Sequence, residues 1–253
     1  MILAGLKSGQ FAVIFQDHLP GKQPDAAPNS GQYRCQTHLN LYDSATLERL
    51  ATQAAIGRYV QIVSTTSLDA VAIEVRLCED DYPGWIAAQD LQHLVPAIIP
   101  YQAIALSEAE IRAKIPEAIA FTQAAMNQPN EYLWGGTIGP NYDCSGLMQA
   151  AFASVGVWLP RDAYQQEGFT QAIAIEQLQP GDLVFFGPAH KATHVGLYLG
   201  DRRYIHSSGK DHGHNGIAVD VLSNQGTAIS QTYYAQLRGA GRIVAAYQPH
   251  QTR

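Results

Sequence analysis

A cysteine that follows an aspartate and opens an apolar helix sits where a thiol can do chemistry. Cys144 lies in Asn141-Tyr142-Asp143-Cys144-Ser145-Gly146-Leu147-Met148. Asp143 suits an N-cap, and Leu147, Met148, Ala151, Phe152 and Val155 give the stripe that buries one helix face. In the first turn, unpaired backbone N–H groups and the positive end of the dipole favour thiolate over thiol. A nucleophile also needs a base, and the chain has nine histidines. His194 and His206 stand apart because each borders a β run that otherwise reads as core: His194-Val195-Gly196-Leu197-Tyr198-Leu199 and Arg203-Tyr204-Ile205-His206. The plainer readings are a small buried cysteine and two satisfied core histidines.

The two β runs meet at Gly200-Asp201, a hairpin turn, and its parity decides the matter. With a two-residue loop, Leu199 faces Arg202 and the histidines fall on opposite faces. If Arg202 joins the loop or forms a bulge, Leu199 faces Arg203 and both histidines share a face. Only the second arrangement builds a Cys–His–His site. There His194 is general base and then acid, and His206 holds its tautomer. The Cys144 backbone N–H and the Tyr132 hydroxyl are the candidates for stabilising an oxyanion.

The elements that must position these groups divide the chain in two. From Tyr33 to Leu94 the text is short β-prone runs with turn signals, as in a small barrel. Residues 1 to about 32 read as one or two strands and an exposed loop. Thr46 to Ile56 reads as helical. Val95-Pro96-Ala97-Ile98-Ile99-Pro100 resists both helix and central strand, which places domains at 1–100 and 101–253. In the second, Ser107 and Glu110 have capping-box spacing, Ile115-Pro116 breaks that helix, and Pro116 to Asn127 restarts it. After the Cys144 helix come strands at 182–186, 194–199, 203–206, 217–222 and 243–247. Helices first, then a mostly antiparallel sheet, is an α+β layout.

Composition excludes several classes. A chain of 253 residues with net charge −6 and no basic run does not suit nucleic acid or an anionic membrane surface. Met1 to Phe15 lacks a basic region followed by a continuous apolar core, so we expect no signal peptide, no membrane span and a cytoplasmic protein. Cys35, Cys78 and Cys144 contain no CxxC pair and fit reduced thiols.

Several of these stretches resemble the NlpC/P60 family. They are Tyr132-Leu133-Trp134-Gly135-Gly136, Asp143-Cys144-Ser145-Gly146-Leu147, Leu159-Pro160-Arg161-Asp162, Leu178-Gln179-Pro180-Gly181-Asp182-Leu183-Val184-Phe185-Phe186 and His194-Val195-Gly196-Leu197-Tyr198, in order across roughly 115–247. Upstream, Leu39-Asn40-Leu41-Tyr42, Gly57-Arg58-Tyr59-Val60 and Asp81-Tyr82-Pro83-Gly84-Trp85-Ile86 resemble a bacterial SH3-like (SH3b) domain, with Thr46 to Ile56 as an insertion. The resemblance implies a papain-like fold and a cysteine peptidase of cell-wall peptides, with Cys144, His194 and His206 on the catalytic positions. The two-part arrangement is similar to γ-D-glutamyl-L-diamino acid endopeptidases of murein peptide recycling. That implies a substrate of the L-Ala-γ-D-Glu-diaminopimelate type. Its free amine would meet Tyr82 and Asp162, while Tyr132, Asp143 and Ser145 line the groove. Many relatives carry serine after Arg-Asp; this chain has Ala163, so one hydrogen bond to substrate is absent.

Three rivals remain. An amidase or acyltransferase can use the same cysteine and histidine. A non-catalytic wall-binding module would not need Cys144. A metal hydrolase would use His206, His212, His214 and Asp211, but HExxH is absent, and no metal or other cofactor is expected. The oligomeric state is not legible.

Overall fold

The computed structural model describes residues 30–64, 70–211 and 213–250. The strands and loop expected at the start of the chain fall almost wholly on residues outside that range, as does His212.

The first seven strands are β1 (Gln32–Cys35), β2 (Leu39–Tyr42), β3 (Leu50–Ala54), β4 (Tyr59–Ile62), β5 (Ala72–Leu77), β6 (Pro83–Ala87) and β7 (Leu94–Pro96). They make one sheet in the order β3-β2-β6-β5-β4-β1-β7. Every pairing in it is antiparallel, and among the described residues β3 and β7 do not pair to close a ring. Period-two patterning drives it: Ile73, Val75 and Leu77 of β5 join Leu39, Leu41, Val60 and Ile86 in one core. The helical reading of Thr46–Ile56 is overturned, since β3 occupies its second half and pairs with β2. Burying Thr52 and Ala54 completely outweighs the helical propensity of the segment.

Between Pro96 and Glu108 the chain crosses to an α+β unit. Its helices are α1 (Glu108–Met126), α2 (Cys144–Ala153), α3 (Ala163–Phe169) and α4 (Ala228–Ala235). Ser107 and Glu110 form the expected capping box, but α1 does not break at Pro116. Proline there removes a bond to the Arg112 carbonyl; both residues are exposed, so that carbonyl is open to solvent. A short ladder, β8 (Thr137–Ile138) with β9 (Asn141–Tyr142), precedes α2. The main strands are β10 (Gln171–Ile173), β11 (Leu183–Phe186), β12 (His194–Gly200), β13 (Arg203–Ser208), β14 (Gly216–Val221) and β15 (Leu237–Arg242).

Their order is β10-β15-β11-β12-β13-β14, and all pairs are antiparallel. The last strand is therefore 237–242, not 243–247. Its text, Leu237-Arg238-Gly239-Ala240-Gly241-Arg242, reads as a loop. Yet it pairs with β10 and β11, and Gly241 is required there, since a Cβ would lie 2.0 Å from Thr170 Oγ1. Helix α2 buries Leu147, Met148 and Phe152 against Leu183, Val195, Leu197 and Ile205 of the sheet.

Polar contacts lock the first sheet to the α+β unit. Gln149 Nε2 on α2 donates to Asp80 Oδ2 at 2.7 Å, and Arg161 Nε donates to Thr52 Oγ1 at 2.8 Å. Thr137 N and Ile138 N both donate to Gln53 Oε1. The Arg58 guanidinium lies 4.6 Å from the Trp158 ring centre while paired with Glu79 and Asp80. Thr52, Arg58, Asp80, Gln149 and Arg161 are buried, so separating the two units would cost the hydrogen bonds that cross between them, while each ion pair stays within its own unit.

Candidate active site

Cys144 opens α2, as its sequence predicts. Asp143 caps the helix, its Oδ1 accepting from Gly146 N at 2.7 Å, and its Oδ2 accepts from Gly135 N at 2.9 Å. Arg161 grips the same carboxylate from both sides, NH1 to Oδ1 at 3.1 Å and NH2 to Oδ2 at 2.6 Å. Ser145 Oγ accepts from Arg161 and donates to Asp143. Asp143 and Ser145, expected to line the groove, are thus buried parts of a network that fixes the helix start. Gly146 lets the turn touch the preceding loop: a Cβ there would meet the Gly136 carbonyl oxygen at 2.0 Å.

The hairpin resolves the parity question with both histidines on one face. Leu197 pairs with Ile205 and Tyr198 with Tyr204, then the register shifts so that Gly200 pairs with Arg203. The loop itself is two residues, Asp201 and Arg202, both with positive φ. The extra residue lies on the β12 side, at Leu199–Gly200, rather than at Arg202. On the shared face His194 Nε2 and His206 Nδ1 are 2.7 Å apart.

Sequence reasoning missed what stands behind this pair. Asp220, on β14, places Oδ2 2.9 Å from His206 Nε2 and 2.9 Å from His214 Nε2. Its Oδ1 accepts from Ser230 Oγ at 2.9 Å. Burial raises the Asp220 pKa, but the donors from His206, His214 and Ser230 outweigh it and hold the group well below the usual carboxylate range. An ionised acceptor requires N–H at His206 Nε2, so Nδ1 carries a lone pair and takes the Nε2–H of His194. Two rings away, the tautomer of His194 is set with a lone pair on Nδ1. Tyr233 of α4 stacks on His194, ring centres 4.4 Å apart. Only the folded register could have revealed Asp220, since Val219 and Val221 point outward beside it.

Both histidine pKa values are pushed down, by burial first and, for His194, by His206 next. The cysteine departs from its expected thiolate character. Burial first, then the Asp143 charge, pushes its pKa up to about 12, against the lowering from the Val195 and Ser145 backbone N–H groups. The helix start contributes as foreseen, but desolvation outweighs it, and both shifts favour the thiol and the neutral imidazole over the ion pair. In His194→Ala, where no ring takes the proton, iodoacetamide modification mapped to Cys144 should therefore accelerate roughly tenfold per pH unit between pH 6 and 10. A rate plateau near neutrality in that variant would instead show a thiol that ionises without the imidazole.

At the junction Tyr82 OH donates to Asp162 Oδ1 at 3.4 Å, joining the two units. Asp162 is half-buried; desolvation raises its pKa, opposed mainly by Arg161. Lys191 Nζ sits 4.0 Å from the ring centre of the neighbouring Tyr164. Tyr132 is also near the sulfur: burial, then the Cys144 charge, raises its pKa. Cys35 and Cys78 are buried free thiols remote from this chemistry.

A cysteine at a helix start, with two linked histidines on a hairpin of the sheet that the helix packs against, supplies the groups that a thiol nucleophile and its base require. Residues 129–238 match the NlpC/P60 family and residues 41–91 match the bacterial dipeptidyl-peptidase Sh3 domain, so the chain carries both. It is 41% identical over 90 residues to the bifunctional muramidase/DL-endopeptidase CwlT of Bacillus subtilis, covering 34% of this chain and 27% of that protein. It is 37% identical over 95 residues to the probable endopeptidase p60 of Listeria monocytogenes, covering 38% of this chain and 19% of that one. The matches thus span about a quarter or less of those relatives. The two-part fold is similar to that of an NlpC/P60 family protein from Bacillus cereus, with a TM-score of 0.64 at 18% identity, covering 84% of this chain and 99% of the other.

Proposed function

We propose that the protein is a cysteine endopeptidase that hydrolyses the γ-D-glutamyl–diaminopimelate bond of murein stem peptides with a free N-terminal L-Ala, acting in cytoplasmic recycling of wall peptides. The observation that carries this reading is the Tyr82–Asp162 pair, a half-buried carboxylate of the α+β unit that takes a hydrogen bond from the first sheet and follows Arg161, the residue that grips Asp143 beside Cys144. A carboxylate there favours an ammonium and rejects a blocked amine. The matched relatives named as endopeptidases support the reaction class.

In this mechanism the γ-carbonyl carbon is placed over the Cys144 sulfur. His194 Nδ1 takes the thiol proton as the sulfur attacks, because neither partner is charged at rest. The imidazolium formed on His194 is stabilised through His206 by Asp220. The Cys144 N–H and the Tyr132 hydroxyl face the developing oxyanion. His194 then returns the proton to the leaving amine, and water, deprotonated by the same ring, releases the acyl group.

Mass spectrometry of products from a panel of stem peptides tests this. The tripeptide should yield L-Ala-D-Glu and free diaminopimelate, and the tetrapeptide should yield diaminopimelyl-D-Ala. Cleavage at any other bond, or transfer to an added amine in preference to water, would replace it with the amidase or acyltransferase reading.

A further inference from the structure

Asp220 gathers two imidazoles on one oxygen, more than orienting His206 requires. His206 Nε2, His214 Nε2 and an Asp220 carboxylate oxygen all lie within 4.8 Å of one another. A tetrahedral zinc ion with bonds of about 2.0–2.2 Å spaces its ligands roughly 3.3–3.6 Å apart, so small ring movements close the site. Support behind two of the ligands, Asp220 and His206, is already present. Asp220 Oδ1 is held by Ser230 Oγ at 2.9 Å and Thr227 Oγ1 at 3.4 Å, leaving Oδ2 for an ion. His206 is held from its far nitrogen by His194. Such outer hydrogen bonds orient metal-binding imidazole and carboxylate groups. The His214 side chain is 33% exposed and gives solvent a way in, whereas the other two are buried.

We propose that His206, His214 and Asp220 form an inhibitory site for a zinc-type divalent cation, with water as fourth ligand. The set differs from the one suggested by the sequence: Asp220 takes the place given to Asp211, and His212 lies outside the described residues. The ion acts on catalysis through tautomers. With the ion on His206 Nε2, the His206 proton moves to Nδ1, which then donates to His194 Nε2. The His194 proton moves in turn to its own Nδ1, and His214 likewise carries its proton on Nδ1. No proton is gained or lost, but His194 now presents N–H, not a lone pair, to the thiol. The base is switched off without a ligand touching Cys144.

The effect on activity rests on the hydrolase reading above; binding does not. Zinc is titrated calorimetrically into the metal-stripped full-length Cys144→Ala protein, which removes the competing thiol. One ion per chain is expected, with affinity at least tenfold weaker in Cys144→Ala/His214→Gln. In the chain with Cys144 intact, the zinc concentration that halves peptide hydrolysis should rise at least tenfold on His214→Gln, each protein scored against its own zinc-free rate. No binding by Cys144→Ala, or equal binding with and without His214, overturns the site. Equal inhibition of both active proteins shows that zinc acts at Cys144–His194 and overturns the switch. If no stem peptide is cleaved, the hydrolase reading fails, and calorimetry still decides the site.

Discussion

Cys144→Ala is expected to reduce release of diaminopimelate from the tripeptide to the background of the assay, a loss on the order of 10⁶-fold. His194→Ala should do the same, because a thiol whose pKa is pushed up to about 12 cannot ionise unaided near neutral pH. The two losses should not add: base and nucleophile act as one unit, so the double variant matches either single one. Fold retention is readily checked, since Cys144→Ala removes one sulfur from a site whose Asp143–Arg161 scaffold stays intact. Turnover in either single variant would sink the mechanism. Full biological function with Cys144→Ala would favour the wall-binding module.

The second large effect lies at the junction. Acetylating the N-terminal amine of the tripeptide should cost about 2–3 kcal/mol, ~30–150-fold in kcat/KM, since Asp162 then loses water without gaining a cation. Asp162→Asn should weaken use of the free peptide and bring the two substrates close together. The pH dependence has a definite sign. Desolvation raises the Asp162 pKa, so its charge is lost at a higher pH than an ordinary carboxylate. Preference for the free amine should shrink as the pH falls and be fullest above that range. Equal cleavage of free and acetylated peptide at neutral pH would turn the reading towards a wall-lytic enzyme acting on attached stems.

Local chemistry made much of the site legible. Asp143 followed by an apolar 3.6-residue pattern specifies a capped helix with the cysteine first, and Ser107 with Glu110 specifies the start of α1. Both depend on neighbours in sequence. Strand β5 was legible for the same reason, its alternation matching its burial. Where the reading failed, distant partners decided. Leu50–Ala54 became a strand because β2 offered it an edge, Pro116 stayed helical because its turn faces water, and a glycine-rich run became β15 because β10 and β11 flank it, with Gly241 fitting beside Thr170 and Phe185.

The sequence by itself determined which atoms could react: one thiol at a helix start, two histidines on one hairpin, and a Tyr82 and Asp162 that the family resemblance singled out. Tertiary structure decided whether they do so together. The bulge at Leu199–Gly200 put both histidines on one face, because a single extra residue inverts the pleat. Strand β14 supplied Asp220, which sets two tautomers from 14 residues beyond His206. Burial reversed the thiol's expected ionisation, since desolvation depends on everything packed around the sulfur and not on the helix that carries it.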